Sequence, residues 1–433
     1  MLTCLEFAPH TFTCLIACLT FVFAINALDI DKELRPKLSA NASIDHPAVA
    51  VRWSDYDPLA PNSIVNIASE QDVLLTVQYC IANDITFLAS GGGNGWSTTL
   101  NIGPADVIIN LQGISAITFN GGKTEVTIQG GAIVRDVVSA AYDNGAQVVT
   151  GNCNCIGIFG ANLGAGYSRL MGLYGFGVDN VLSMTVVNAD GNFQTITPAD
   201  TDLWWAYRGA GANFGIVTSA TVKSYPVPTE QNGAWLGPLI FAPEKLEILV
   251  QAINDLVLAP EMAIFLYFAA TPPGYTPSII VFPFYLGTEA AGRAAFSSIF
   301  AVGPITEQTA WQPYNVVNAG SEAFCVRGGR KPSYSAAVNT LNPTIFRAIW
   351  NEYLSFLQNP GTEQTTVLVE RYALEKAKSF GNESSSYPWR SAEYNVIVET
   401  WYDNSALDGA ANVFGQSVRA LLWLANGGTP PAR

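Results

Sequence analysis

Residues 151–183 read GNCNCIGIFGANLGAGYSRLMGLYGFGVDNVLS, the most glycine-dense stretch of the 433-residue chain. Without a Cβ in the way, glycine lets consecutive backbone N–H groups close around phosphate oxygens. A second such loop, Ser90-Gly91-Gly92-Gly93-Asn94-Gly95-Trp96, lies about 60 residues upstream and follows the strand-like run Ile85–Leu88. One glycine loop alone is most simply a tight turn, whereas two, each fed by an extended run, suggest a cradle for a nucleotide-like group. Neither is a dinucleotide fingerprint. After Gly91 and Gly93 the third place is Trp96, after Gly164 and Gly166 it is Arg169, and after Gly209 and Gly211 it is Phe214. Gly122-Lys123-Thr124 has Ile117 where a phosphate-binding P-loop needs glycine, and no GxSxG or HExxH occurs.

Around these loops the local signals alternate between helix and strand. Ser69-Glu70-Gln71-Asp72 is a capping pattern, followed by Val73, Val77 and Ile81 at helical spacing. Val107–Leu111 and Glu125–Gln129 read as strands, and Ile133–Asp143 as a helix closed by Asn144-Gly145. Val181–Asn188 and Phe193–Thr197 form a hairpin turning at Asp190-Gly191. Thr197 is then expected to cap a helix, with Pro198 at its first position, and Gly215–Tyr225 to follow as a strand. Pro226-Val227-Pro228 marks a boundary. Beyond it Ile279–Tyr285, Val367–Tyr372 and Asn395–Trp401 are strand candidates and Ala406–Leu424 a helix. The chain is therefore α+β in two parts, split near residue 228.

Composition removes several function classes. With 21 basic against 35 acidic residues the net charge is −14, which opposes nucleic-acid binding. Only two histidines, His10 and His46, are available for a zinc site or a Ser-His-Asp triad. The apolar run Thr11–Ile25, before Ile25-Asn26-Ala27, reads as a secretory signal cleaved after Ala24 or Ala27. Its amino-terminal side carries no Lys or Arg, unlike an ordinary leader. No later stretch is apolar enough to span a bilayer, so no membrane contact is expected after cleavage. Four of the seven cysteines lie beyond it, Cys80, Cys153, Cys155 and Cys325, too few for a disulfide scaffold. The sequons at Asn41 and Asn382 suit a secreted glycoprotein.

The segment 151–183, together with PNSIVNIASEQDV (61–73), SGGGNGW (90–96) and DLWWAYRGAGANFGIVTS (202–219), resembles the flavin site of a known family. It is the berberine bridge enzyme-like branch of the p-cresol methylhydroxylase (vanillyl-alcohol oxidase) FAD superfamily. The likeness covers roughly residues 48–228 and has the character of fungal secreted members. It implies a two-part FAD-binding domain at 61–228, after a signal peptide at 1–27 and a lead-in at 28–60. An α+β substrate domain with an antiparallel sheet would occupy 229–433. The resemblance also implies that Ser90, Gly91, Gly92, Gly93, Asn94 and Gly95 wrap the FAD pyrophosphate. Cys153, Ile156, Gly157, Gly160, Gly164 and Gly166 would run beneath the flavin ring, with Gly215, Ile216 and Val217 touching the cofactor through their backbone. Cys153 falls on the cysteine that many relatives bond to flavin C6. Alternatively its thiol is buried and free, or paired with Cys325 or Cys80. Ile156 occupies the place that governs oxygen access, and its bulk leaves oxidase and dehydrogenase open.

Two departures stand out. Relatives with a doubly attached flavin carry a histidine in the first loop, where this chain has Gly93 or Asn94, so at most one covalent link is expected. Relatives also end with a segment that returns to the FAD domain, and this sequence stops at Arg433 before it. The catalytic base varies within the family. Glu370 and Tyr372, two apart and thus on one strand face, are candidates. Tyr402 is another, sharing a face with Tyr394 while Glu399 lies opposite. The implied function is hydride transfer from an alcohol, amine, sugar or secondary-metabolite substrate to flavin N5 in a monomeric extracellular enzyme, with O2 as acceptor. The alternative is a redox-inactive binding or cyclisation scaffold of the same family.

Overall fold

The computed structural model describes residues 29–95 and 99–428; the leader expected over 1–27 and Trp96 lie outside the described residues. The fold is α+β and opens with a small, mostly parallel sheet. Ser63–Asn66 and Phe87–Ser90 flank Val107–Asn110 in parallel, and Ser43–Asp45 adds an antiparallel edge. Parallel neighbours need a crossover, supplied by the helix Glu70–Ala82. Its cap forms as the sequence predicts, with Ser69 Oγ accepting from the Asp72 N–H at 3.1 Å. Ser90 and Asn110 are in register at the carboxyl end of this sheet, so the first glycine loop leaves from the end where open α/β sheets bind ligands.

An antiparallel sheet follows, ordered Ile117–Phe119, Glu125–Gln129, Gly215–Lys223, Val181–Asn188 and Phe193–Ile196. The expected hairpin forms, but Thr197 does not cap the next helix. Asp200 turns back so that Oδ2 accepts from both the N–H and the hydroxyl of Thr197, and the helix spans Thr201–Ala210 with Asp200 as its cap residue. A carboxylate that can bond both groups at once outcompetes a lone hydroxyl for the turn.

The second half is built on a nine-stranded sheet whose antiparallel centre runs Thr276–Tyr285, Met262–Thr271, Thr366–Tyr372, Tyr394–Glu399 and Ser333–Val338. Met262–Thr271, MAIFLYFAAT, is buried along nearly its whole length, which explains why no alternation betrays it in the sequence. Met262, Ile264, Leu266 and Phe268 join a core with the helices Leu246–Asp255, Pro343–Phe356 and Asp408–Ala425. Ala263 and Phe265 point the other way, into the core built largely by the first half of the chain. The sheet is thus a wall with helices behind and the glycine loops in front. The last strand ends at Glu399, two residues short of the expected Trp401.

One buried ion pair ties the wall to the loops. Arg390 clamps Asp179 with two bonds of 2.7 and 3.0 Å, both side chains fully buried, and also donates to Ser385 Oγ at 2.7 Å. Asp179 Oδ2 in turn accepts from the Phe176 N–H. Removing one partner strands the other charge in a dry interior. Arg390→Met should therefore lower unfolding stability by about 3–5 kcal/mol, read as a fall in denaturation midpoint, and Arg390→Met with Asp179→Leu should recover part of it.

Candidate active site

The two glycine loops meet backbone to backbone. A Cβ placed on Gly92 would lie 2.4 Å from the Gly157 nitrogen, and one on Gly157 would lie 2.5 Å from the Gly92 nitrogen. No other residue fits at either position without parting the loops. Gly166, at φ +79°, is confined similarly by Asn162 Oδ1 and the Gly177 backbone. By contrast a Cβ on Gly160 meets nothing within 4 Å, and one on Gly164 only an ordinary contact at 3.6 Å. Folding of the chain demands the first three glycines and leaves Gly160 and Gly164 unexplained by its own packing.

Other segments converge on the same point. Gly91 would place its Cβ 3.3 Å from Gly130 O, and Gly130 its own 2.6 Å from Val217 O, so the start of the strand Gly215–Lys223 reaches the first loop through Gly130. Ile216 and Val217 themselves are buried. Ile156 is half-buried, its carbonyl accepting from the Val134 N–H. Arg52 donates to Gly95 O at 2.6 Å and Arg327 to Gly92 O at 2.7 Å. Burial, then the nearby Arg327 charge, lowers the Arg52 guanidinium pKa. Two cations held beside a glycine loop favour an anion there. A diphosphate-bearing cofactor such as FAD suits this arrangement.

Cys155 and Cys325 are joined in a disulfide, and Cys153 is a free thiol beside them. The Cys153 sulfur lies 3.6 Å from that of Cys155 and 3.8 Å from that of Cys325. Burial pushes its thiol up, and Glu399 and Glu322 add to this, while the Cys155 N–H and the Ser321 hydroxyl oppose it. Cys80 is buried in a separate core against the parallel sheet and is no partner for it.

The wall presents Glu370 and Tyr372 to the loops. Tyr372 Oη accepts from Asn152 Nδ2 at 2.7 Å, and the same asparagine's Oδ1 accepts from the Arg169 N–H at 3.0 Å. Glu370 accepts from Asn395 Nδ2 at 2.9 Å and from the Tyr372 hydroxyl. Burial pushes the Glu370 carboxyl up, and these two hydrogen bonds and the Arg169 charge pull it back. Arg169 stacks over Phe265 at 5.1 Å, and Tyr167 and Tyr387 share a 2.8 Å hydrogen bond alongside. Tyr372 thus links a loop asparagine to a wall carboxyl in one continuous network.

Tyr402 does not belong to it. It lies past the end of its strand, bridges Arg330, and donates to Asp408 Oδ1 at 2.9 Å within the helix-side core. Tyr394 shares that side, bonded to Asn254. Their strand ends in Glu399, which pairs opposite Thr366 and so falls on the loop-facing side with Glu370 and Asn395. Burial raises the Glu399 carboxyl to about 7, against the pull of Lys331, and its Oε1 has no hydrogen-bond partner among the described residues. Lys331 is itself fully buried between the rings of Trp53 and Trp401, at 4.6 and 4.0 Å. Arg52, Arg327, Asn395 and Glu399 carry no motif, whereas Asn152 and Arg169 lie within the glycine-rich segment 151–183 without any sign there of their partners. Only strand pairing and loop packing bring them here.

Glycine loops flanked by paired cations are the arrangement of a protein that binds an anionic cofactor. The FAD binding domain family model matches residues 61–197. The chain is 31% identical to the FAD-linked oxidoreductase hasG of Aspergillus fumigatus, over 88% of this chain and 84% of that one. It is 30% identical to OXR1 of Pyricularia oryzae, over 89% and 78%. Among solved structures it resembles the Physcomitrella patens BBE-like 1 protein at TM-score 0.78, with 17% identity covering 91% and 88% of the two chains. The xylooligosaccharide oxidase of Myceliophthora thermophila also superposes at 0.78, with 18% identity covering 92% and 87%. The chain belongs to the family of FAD-linked oxidoreductases and has the fold of the berberine bridge enzyme-like proteins.

Two outcomes follow from this geometry. Gly157→Ala should cost about 1–3 kcal/mol, while Gly160→Ala should leave the midpoint of thermal unfolding near the wild-type value. Glu399 titrates higher when folded than when unfolded, so the unfolded chain releases its proton first as pH rises. Stability is therefore unaffected by this group below pH 4 and lost progressively between about 4.5 and 7. Glu399→Gln should be more stable than wild type by about 1–3 kcal/mol at pH 8 and show no such gain at pH 4, as read by denaturant titration at the two pH values.

Proposed function

We propose that the protein oxidises a small-molecule alcohol, amine, sugar or secondary metabolite by hydride abstraction and uses O2 as the final acceptor. The observation that carries this reading is the Asn152–Tyr372–Glu370 network, which sets a buried carboxyl of the wall against the loop above which the flavin ring belongs. FAD, when bound, supplies the hydride acceptor at N5. The chain's own part is to hold the substrate and take its proton. The Glu370 carboxylate accepts the proton of the substrate hydroxyl or ammonium group as the C–H bond breaks, and Tyr372, fixed by Asn152, orients the group that loses it. Arg169, packed on Phe265, favours the ionised form of Glu370. Activity should accordingly rise with pH through the Glu370 ionisation.

Cys153 is the one attachment point for the flavin in this reading, since no histidine stands in the first loop. The neighbours support the substrate class, being named a xylooligosaccharide oxidase, a carbohydrate oxidase of Microdochium nivale and a 6-hydroxy-D-nicotine oxidase. Exposed sequon asparagines at 41 and 382, together with the Cys155–Cys325 disulfide, support a secreted protein.

The test is acid precipitation of the purified protein followed by turnover assays. Yellow colour should stay in the pellet and move to the supernatant in Cys153→Ala; colour in the wild-type supernatant overturns the covalent link. With a panel of sugars, alcohols and amines, hydrogen peroxide should form. Glu370→Gln should lower turnover by about 100- to 10,000-fold. A folded but colourless protein overturns the enzyme reading.

A further inference from the structure

Three sulfurs, from Cys153, Cys155 and Cys325, lie within 4.8 Å of one another, and a disulfide joins two of them. A thiol held against a disulfide is the reactant pair of thiol–disulfide exchange. We propose that these residues form an exchange centre in which Cys325 is the shared partner and the free thiol passes between Cys153 and Cys155. The Cys153 thiolate attacks the Cys325 sulfur. Its lone pair makes the new bond, the Cys155–Cys325 bond breaks with its pair on Cys155, and Cys155 takes up the proton that Cys153 gave up. One disulfide and one thiol stand on each side of the step, so no oxidant or reductant is needed.

Three features of the geometry bear on the step. The Cys153 sulfur stands beside the disulfide, 3.6 and 3.8 Å from its two atoms, so it must swing into line with the Cys155–Cys325 bond and close to about 2.05 Å of Cys325. The Cys155 N–H donates to the Cys153 sulfur and so opposes the upward push of burial on its thiol. Cys325 ends a short helical turn, Ala319–Cys325, whose Ser321 hydroxyl reaches Asn152 O at 3.2 Å, so either pairing keeps this segment on the loop. A Cys153–Cys155 bond would instead close across Asn154 alone, the tightest of the three rings.

The exchange decides which loop cysteine is the nucleophile. With Cys155 bonded to Cys325, Cys153 is open to modification; with Cys153 bonded, it is closed. The consequence for flavin attachment rests on the role given to Cys153 above, whereas the exchange itself does not.

The experiment is disulfide mapping of the full chain, secreted by a host with an oxidising secretory pathway. After incubation at pH 8.5 the protein is quenched in acid, alkylated and digested without reduction, with fragment ions locating each link. In molecules whose Cys153 carries no flavin, both Cys155–Cys325 and Cys153–Cys325 should be found. Cys155–Cys325 alone, or a Cys153–Cys155 link with free Cys325, overturns the proposal. In Cys155→Ser, a Cys153–Cys325 bond should form, with loss of both Cys153 alkylation and acid-stable flavin. Cys153 still alkylated or flavin-bearing at the wild-type level overturns it as well. If that variant does not fold, the wild-type map decides. A wild-type protein without acid-stable flavin but with both links refutes the attachment and leaves the exchange standing.

Discussion

The contact between Gly92 and Gly157 is the constraint on which the rest of the structure depends. Two nitrogens on loops from different parts of the fold approach until neither can tolerate a side chain on its neighbour. That approach holds the carboxyl end of the parallel sheet against the segment entering the short helix Ile158–Asn162. It also fixes where Gly130, Val217, Arg52 and Arg327 stand around them. Close backbone approach leaves polar N–H and C=O groups concentrated in one place, which is what an anionic cofactor requires and what a packed apolar core cannot provide.

The second half of the chain serves that junction as a wall. Its central strands are apolar on both faces, one face covered by helices and the other by the flavin-loop core. Polar groups appear on the loop-facing side as exceptions, among them Glu370, Tyr372, Asn395 and Glu399. Burial raises both carboxyls, yet they differ in support. Glu370 has hydrogen-bond donors from Asn395 and Tyr372, whereas the Glu399 Oε1 has none among the described residues. Where two similar groups sit in unequal surroundings, their proton affinities part, and separate roles become available to them. The Asp179–Arg390 pair acts in the same interface, where full burial makes its geometry costly to alter.

Much of the first half was legible because its signals are local. A serine followed by acidic residues caps a helix wherever it sits, and the hairpin at Asp190-Gly191 forms from its turn residues. Thr197 shows the limit: two groups compete for one turn, and the winner depends on which can make two bonds. The strand Met262–Thr271 went unread for another reason. Burial on both faces erases the alternation by which a strand announces itself.

The sequence by itself determined the family, the glycine loops and the position of Cys153, because the backbone chemistry of those loops is written in consecutive residues. It also put no histidine in the first loop, which removes one route of covalent attachment for the flavin. Tertiary structure decided which cysteines pair, which side of the last strand faces the cofactor loops, and hence that Tyr402 is excluded and Glu399 admitted. It alone brought Asn152 to Tyr372 across 220 positions of the chain. Side chains meeting from distant segments are set by sheet register and domain packing, and neither leaves a pattern in the residues next to them.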